Sequence, residues 1–217
     1  MSADQYQVLA STHHFRGRVI SLRTDELRMS DGTVATREIV EHPGAVGVVA
    51  LDEDDQVVLV NQYRHPVGRY LQELPAGLLD VPGEPALLAG QRELKEETGL
   101  AAAEWHVLID LFTSPGMTNE AIRVFLARGL ADAPGEQFVP EHEEITLTVS
   151  RVPLDEAVAR AMRGELTNAA AVAGVCAAAA ARADGWRALR PADAPWSGRP
   201  ESSGQPESSG QPGQLRS

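Results

Sequence analysis

The chain has little cysteine and comparatively little positive charge, and each shortage narrows the functions open to it. Its 217 residues include a single cysteine, Cys176, which excludes a disulfide framework within the chain. Because Cys176 lies in an alanine-rich run, we expect a small buried apolar residue, with a free reactive thiol as the alternative. Lysine and arginine number 19 against 31 acidic residues, a net charge of −12. This balance argues against non-specific binding to nucleic acid or to an anionic membrane.

Long apolar segments are also missing. The first residues lack the apolar core of a secretory signal, and no apolar stretch is long and uncharged enough to span a bilayer. We therefore expect a cytoplasmic protein without a membrane partner. With 43% hydrophobic residues, the chain can bury one substantial core and a small appended unit.

The most informative segment, residues 77–100, is a glycine-containing loop that leads into a helix bearing Arg92, Glu93, Glu96 and Glu97. Residues three and four apart share one face of a helix, so the three glutamates project together. Hard divalent cations such as Mg²⁺ prefer such oxygen clusters, usually with substrate phosphates completing the coordination shell. Glutamate runs on helices are more often solvated surface, so the surroundings decide between these two interpretations.

The surroundings of this helix favour the metal-site interpretation. Pro85 suits the first helical turn, and Gly99 suits the position after the last turn. Glu84 stands near the positive end of the helix dipole. One short segment therefore combines the signals of a helix start and end, a glycine-containing loop before the helix and a face of carboxylates.

This segment resembles the Nudix box, whose pattern is Gly, five residues, Glu, seven residues, then Arg-Glu-apolar-x-Glu-Glu-x-Gly-apolar. The residues that match it are Glu84, Arg92, Glu93, Leu94, Glu96, Glu97, Gly99 and Leu100. Six residues rather than five separate Gly77 from Glu84. The extra residue precedes the helix, so it affects the loop around Gly77 and leaves the helical spacing unchanged.

Other stretches resemble the ADP-ribose pyrophosphatase branch of the Nudix superfamily. They are residues 37–46, 62–67, 72–77, 114–120 and 164–168. Members of the branch carry a proline in the loop after the box, where this chain has Pro115. The resemblance extends from Phe15 to Ala183.

The resemblance implies an α/β (α+β) fold, a Nudix-type α/β/α sandwich with a mixed sheet, plus a small N-terminal antiparallel β-sheet unit. We expect this unit at residues 1–43, the Nudix domain at 44–190 and a disordered tail rich in Pro, Gly, Ser and Gln at 191–217. A lone hairpin is marginal in water. In this branch the N-terminal sheet packs on a second subunit and helps form the adenine-ribose pocket, which implies a homodimer.

The residue patterns predict the elements individually. Predicted strands are 15–29, 33–41, 45–51, 56–63, 71–74, 105–112, 122–127 and 145–152. After the box helix, predicted helices run from Leu154 to Arg163 and from Asn168, as N-cap, to about Ala183.

The resemblance also implies roles for individual residues. Glu93, Glu97 and the carbonyl of Ala76 would be ligands of Mg²⁺ or Mn²⁺, with Glu96 joining directly or through water. Arg92 would orient these carboxylates by charge-assisted hydrogen bonds. The expected substrate-binding residues are Arg64, at the pyrophosphate, together with Arg37, Pro115 and Gly116.

The general base is expected in a late loop, as in other members of the branch. A base must come within hydrogen-bond reach of the attacking water. Glu143 is the first candidate, followed by Glu141 and then Glu144, although each alone could be a plain loop carboxylate. His142 is expected to be a bystander.

The leading hypothesis is hydrolysis of ADP-ribose, a small-molecule substrate, to AMP and ribose 5-phosphate. A second hypothesis is a Nudix hydrolase acting on another nucleoside diphosphate derivative, such as a nucleotide sugar, NADH or a dinucleotide. A third is a ligand sensor that kept the fold and lost the chemistry. The intact carboxylate face and the acidic balance argue against the sensor.

Overall fold

The computed structural model describes residues 6–135 and 147–199. Within these residues the chain forms strands and three α-helices, joined by turns and one short 3₁₀ helix at His65–Val67. The strands are β1 (Gln7–Arg16), β2 (Ser21–Arg28), β3 (Val34–Glu41), β4 (Ala45–Ala50), β5 (Gln56–Arg64), β6 (Arg69–Glu73), β7 (Ala76–Leu78), β8 (Leu100–Phe112), β9 (Ala121–Asp132), β10 (Thr148–Pro153) and β11 (Arg190–Pro191). The helices are α1 (Ala86–Thr98), α2 (Leu154–Met162) and α3 (Ala169–Ala183).

The strands form three sheets. The largest has the order β11-β8-β9-β4-β7, in which β4 and β9 run parallel and the other neighbours run antiparallel. A second sheet has the order β10-β5-β6. Strands β1, β2 and β3 form a separate antiparallel sheet at the N-terminus.

The five-stranded sheet lies between α1 and α3. Successive side chains of a strand point to opposite faces, and the packing along β4 follows this alternation. Val48 belongs to the same apolar cluster as Leu94 of α1, whereas Val49 packs in the cluster that contains Val175 of α3. The predicted α/β/α sandwich with a mixed sheet is therefore confirmed, and so is the small N-terminal antiparallel sheet.

The N-terminal sheet differs from the prediction in its strands. A single strand over residues 15–29 is wrong, because a turn closed by the bond from the Gly17 N–H to the Ile20 carbonyl (2.8 Å) separates β1 from β2. Strand β1 was not predicted, and all ten of its residues are exposed. Without a buried face, β1 has no strong apolar alternation that a sequence pattern could detect.

The beginning of the predicted tail is also different. Residues 192–199, which we call the C-terminal strap, follow β11 and pack on the domain through Ala192, Ala194 and Trp196. The strap packs here because apolar side chains alternate along it and because it supplies acceptors to a buried arginine. The domain boundary at residue 190 stays a prediction.

Two smaller expectations can be compared with the structure. Cys176 is a free, half-buried thiol packed against the main core, rather than a fully buried residue. Among the described residues, no helix is both long and apolar enough to cross a membrane.

Candidate active site

Helix α1 carries the box residues and is held by its apolar side. Ala89 and Leu94 are fully buried against the sheet. The helix begins after Pro85, which occupies the N-cap with an extended backbone. It ends where Gly99 adopts a left-handed conformation (φ 71°) and donates its N–H to the Lys95 carbonyl at 2.8 Å. With the apolar side buried, the carboxylate side faces β7 and the preceding loop.

Arg92 is the centre of the charged network on this helix. Its Nε and Nη2 donate to the two carboxylate oxygens of Glu84, at 3.2 and 3.1 Å. Its Nη1 donates to Glu93 Oε1 at 2.6 Å and to Glu96 Oε2 at 3.1 Å. The bonds to Glu84, followed by the attraction of Glu93, raise the pKa of Arg92 above its ordinary value. Arg92 therefore fixes three carboxylates relative to one another.

Glu93 lies directly against the backbone of β7. A Cβ added to Gly77 would stand 2.0 Å from Glu93 Oε1, so only glycine leaves room for this carboxylate. Glu97 meets the same strand one residue earlier, where its Oε2 accepts the Ala76 N–H at 3.0 Å. The structure therefore brings Ala76, Glu93 and Glu97 together at the contact between β7 and α1.

The donor chemistry of this site fits a hard divalent cation. Carboxylate and carbonyl oxygens are the ligands that such cations prefer. Among the residues that the structure describes, no three His, Cys, Asp or Glu side chains form a ready-made metal cluster. Arg92 forms ion pairs with Glu93 and Glu96, so an internal arginine offsets the negative charge of this face.

The loop before α1 accommodates the extra residue of the box. The N–H of Glu84 donates to the Val81 carbonyl at 3.1 Å, and Gly83 within this turn has φ 79°. Glu84 still reaches Arg92 with both carboxylate oxygens. The insertion is thus absorbed in the turn.

Arg64, the predicted pyrophosphate ligand, ends β5 and forms a two-pronged ion pair with Glu73 of β6. Its Nε donates to Glu73 Oε1 at 3.0 Å and its Nη2 donates to Oε2 at 2.7 Å. The Glu73 side chain is only 4% exposed, whereas that of Arg64 is 41% exposed. A buried carboxylate therefore fixes the direction of a guanidinium that remains accessible.

The loop that contains Pro115 and Gly116, residues 113–120, is joined to the end of β3. The Val40 N–H donates to the Met117 carbonyl at 2.8 Å, and the His42 N–H donates to Asn119 Oδ1 at 2.8 Å. Pro115 and Gly116 are both exposed. This loop thereby connects the N-terminal sheet to the rest of the fold.

His42 and Glu120 meet at the base of this loop. Their Nε2 and Oε1 atoms are 3.6 Å apart. Burial lowers the pKa of His42, although Glu120 acts in the opposite direction. The imidazole Nδ1 accepts the Gly44 N–H at 3.1 Å, so a neutral ring fits the site.

One further predicted substrate-binding residue and the candidate bases remain. Arg37 is an exposed residue of β3 whose guanidinium donates to the Thr36 carbonyl beside it, at 2.9 Å. Glu141, His142, Glu143 and Glu144 lie outside the described residues.

Sequence reasoning did not assign the roles that Glu84 and Glu73 have in this geometry. Glu84 was expected to match the box and to lie near the positive end of the helix dipole, but not to pair with Arg92, and Glu73 was not considered as a partner of Arg64. The opposite charges of Glu84, before the helix, and Arg92, two turns into it, could have indicated the pair that these two residues form. The second depends on the pairing of Tyr63 with Tyr70 across β5 and β6, which a sequence pattern alone does not give.

The comparisons with known proteins agree with this geometry. The model of the NUDIX domain matches residues 41–172. The ADP-ribose pyrophosphatase of Mycobacterium tuberculosis (strain ATCC 25618 / H37Rv) is 45% identical over 200 residues, which is 92% of this chain and 95% of that protein. The ADP-ribose pyrophosphatase of Bacillus subtilis (strain 168) is 35% identical over 158 residues, covering 73% of this chain and 84% of the relative. A solved structure described as an ADP compounds hydrolase superposes with a TM-score of 0.71 at 25% identity, covering 85% of this chain and 98% of the other.

Proposed function

Since the chain belongs to the NUDIX domain family, we propose that it hydrolyses the pyrophosphate bond of ADP-ribose, giving AMP and ribose 5-phosphate. The enzyme is a Nudix hydrolase that depends on a divalent metal ion. The similarity to two ADP-ribose pyrophosphatases, one of them matched over nearly its whole length, supports this substrate.

The observation that carries the proposal is the contact between α1 and β7. Glu93 packs against Gly77, and Glu97 accepts the N–H of Ala76. Two carboxylates therefore lie together at the beginning of β7. A divalent cation bound here would neutralise negative charge on the diphosphate and polarise the attacking water. We propose Glu93, Glu97 and the Ala76 carbonyl as its direct ligands and Glu96 as a direct or water-mediated one.

The resident metal is proposed to be Mg²⁺ or Mn²⁺, both of which suit carboxylate oxygens. In the structure Arg92 holds Glu93 and Glu96 through one nitrogen, Nη1. When a cation takes oxygens of these glutamates, the bonds from Arg92 to Glu84 keep the guanidinium in place. Arg92 thus orients the carboxylates and does not contact the substrate.

The substrate is proposed to lie between Arg64 and the loop at residues 113–120. Arg64 is directed by the buried Glu73, and its guanidinium is proposed to bind a diphosphate oxygen. Pro115 and Gly116 are proposed to shape the pocket for the terminal ribose. The base that takes the proton of the attacking water is proposed to be Glu143, with Glu141 and Glu144 as second and third candidates.

The N-terminal sheet supports the proposal of a homodimer. Val8, Leu9 and Phe15 are apolar residues of β1 with exposed fractions of 54, 39 and 55%. Exposed apolar residues concentrated on one small sheet are typical of a surface that binds another protein chain. A second copy of the chain would cover it and bring Arg37 toward a substrate pocket. The cytoplasmic location remains a prediction.

A substrate panel tests the function directly. The full chain is assayed with Mg²⁺ or Mn²⁺ on ADP-ribose, NADH, nucleotide sugars and diadenosine polyphosphates, and the products are identified. We expect the highest kcat/KM for ADP-ribose, with AMP and ribose 5-phosphate as products. Equal or higher efficiency on NADH or a nucleotide sugar would move the function to that substrate, and binding without turnover would support a sensor.

A further inference from the structure

The C-terminal strap is attached to the domain by a buried charge. Arg123 of β9 is 3% exposed and forms a two-pronged ion pair with Asp110 of β8, at 2.7 and 3.0 Å. Two of its other N–H groups donate to the strap, to the carbonyls of Ala194 at 2.6 Å and Pro195 at 3.0 Å. A buried guanidinium needs all its donors satisfied. The strap is therefore part of the structure around Arg123.

Trp196 joins this anchor to the box region. The guanidinium carbon of Arg123 lies 4.9 Å from the centre of the Trp196 ring, a cation–π contact. The same ring packs against an apolar cluster that includes Leu79, from the loop before the box helix, and Ala89 of that helix. Displacing Trp196 would thus loosen the support of both the loop and the first turns of α1.

The end of the strap contacts the box loop directly. Arg199 Nη2 donates to the backbone carbonyl of Glu84 at 3.3 Å. The side chain of Glu84 accepts two bonds from Arg92, which in turn holds Glu93 and Glu96. A chain of three consecutive polar contacts therefore runs from the strap to the proposed metal ligands.

The strap also touches the element that leads into the loop at residues 113–120. A Cβ added to Gly198 would lie 3.2 Å from Phe112 Cζ and 3.4 Å from Trp196 Nε1. Phe112 is the last residue of β8, immediately before that loop. The strap therefore spans two segments that the proposed function assigns to different parts of the substrate, the diphosphate with its metal and the terminal ribose.

We propose that the C-terminal strap is a positioning element of the active site, which holds the box loop and the base of the loop at residues 113–120 at a fixed separation. Trp196 and Arg199 are its positioning residues. This inference rests on the proposed function for its catalytic readout. It also predicts that metal binding depends on the strap, whatever nucleotide is hydrolysed.

Two truncations give a matched comparison. One ends at Arg199 and removes only residues 200–217, and the other ends at Pro191 and removes the strap as well. Mn²⁺ affinity is measured by electron paramagnetic resonance, and kcat and KM are measured with ADP-ribose. We expect the chain ending at Arg199 to match the full chain. The chain ending at Pro191 should bind Mn²⁺ on the order of 10-fold more weakly, as is typical when outer-shell support is lost, and should have a raised KM.

Point variants keep the test decisive if the shorter chain does not fold. Arg199→Ala removes one exposed side chain, Arg199→Lys keeps a donor, and Trp196→Phe keeps a ring near Arg123. The matched control is Arg187→Ala, since Arg187 is an exposed arginine that precedes the strap and donates to Asp184. We expect weaker Mn²⁺ binding in Arg199→Ala, recovery in Arg199→Lys and no change in the control.

The results separate the two proposals. If the full chain does not hydrolyse ADP-ribose but Arg199→Ala weakens Mn²⁺ binding, the proposed function fails and the positioning role stands. If Trp196→Ala and Arg199→Ala are both folded and match the full chain in Mn²⁺ affinity, kcat and KM, the positioning role is overturned.

Discussion

Gly77 and Glu93 are in direct contact because residue 77 has no side chain. A Cβ at this position would stand 2.0 Å from both the Cδ and the Oε1 of Glu93, far inside van der Waals contact. Glu93 Oε1 is also the atom that accepts the 2.6 Å bond from Arg92. The position of this carboxylate therefore depends on a glycine sixteen residues earlier in the chain.

We predict that Gly77→Ala displaces Glu93 and weakens metal binding while the fold remains. The added methyl meets the end of a flexible side chain, so Glu93 can move aside, but it then leaves the position proposed for a metal ligand. The expected loss of Mg²⁺ or Mn²⁺ affinity is on the order of 10- to 100-fold, measured by calorimetry.

The matched control for that variant is Gly47→Ala on the neighbouring strand β4. There the nearest atom to the added methyl is Leu74 Cδ1 at 3.6 Å, an ordinary contact. This control should bind metal normally. Unchanged metal affinity in Gly77→Ala would show that Glu93 is not a ligand in the position that the structure gives it.

Glu93→Gln and Glu97→Gln test the ligands themselves. Each change keeps the shape of the side chain and removes its charge, so kcat should fall by orders of magnitude with the fold intact. Stability without metal should change little, because Glu93 has an arginine partner and Glu97 has a backbone donor. Thermal unfolding and kcat at saturating Mg²⁺ are the measurements.

Glu104→Gln provides the control for these two variants, since Glu104 is an exposed glutamate on β8. It should retain both turnover and melting temperature. Near-normal turnover in folded Glu93→Gln or Glu97→Gln would remove that residue from the proposed metal site.

The fold could be predicted where a sequence pattern is local and strong. The bounds of helices α2 and α3 were predicted to within a residue or two, because amphipathic spacing and glycines after the last turn mark them. Helix α3 also has a strong N-cap, since the Asn168 side chain accepts the Ala171 N–H at 3.0 Å. The buried strand β4 is a continuous run of apolar residues and glycine, which identifies it. Strand β1, exposed along its whole length, lacks such a pattern.

The strap could not be predicted because the contacts that stabilise it are made with residues far away in the sequence. Arg123 and Ala194 are 71 residues apart, and no local rule relates them. By composition, the residues after 190 are those of a flexible tail. Helical spacing predicts the carboxylate face of α1, and the resemblance to the Nudix box implies the orienting role of Arg92. The two bonds from Arg92 to Glu84 required the three-dimensional structure.

A dimer formed through the N-terminal sheet should dissociate when charge is placed on β1. We expect Leu9→Asp and Phe15→Asp to halve the molecular mass measured by light scattering and to raise the KM for ADP-ribose. Met162→Asp is the control, because Met162 is an apolar residue of α2 with 80% exposure, outside that sheet. A monomeric full chain at assay concentration would contradict the proposed homodimer.

The last prediction distinguishes the catalytic base from the metal ligands. A base acts on the attacking water and does not hold the cation, so its loss should lower kcat by ~10²–10⁴-fold and leave the Mg²⁺ dependence almost unchanged. Loss of a box glutamate should instead shift the Mg²⁺ dependence. We would make Glu141→Gln, Glu143→Gln and Glu144→Gln separately and measure kcat across a range of Mg²⁺ concentrations. Glu143→Gln should be the slowest, with Glu141→Gln next. If all three retain the kcat of the full chain, the base does not come from this loop, and the water must be activated at the box itself.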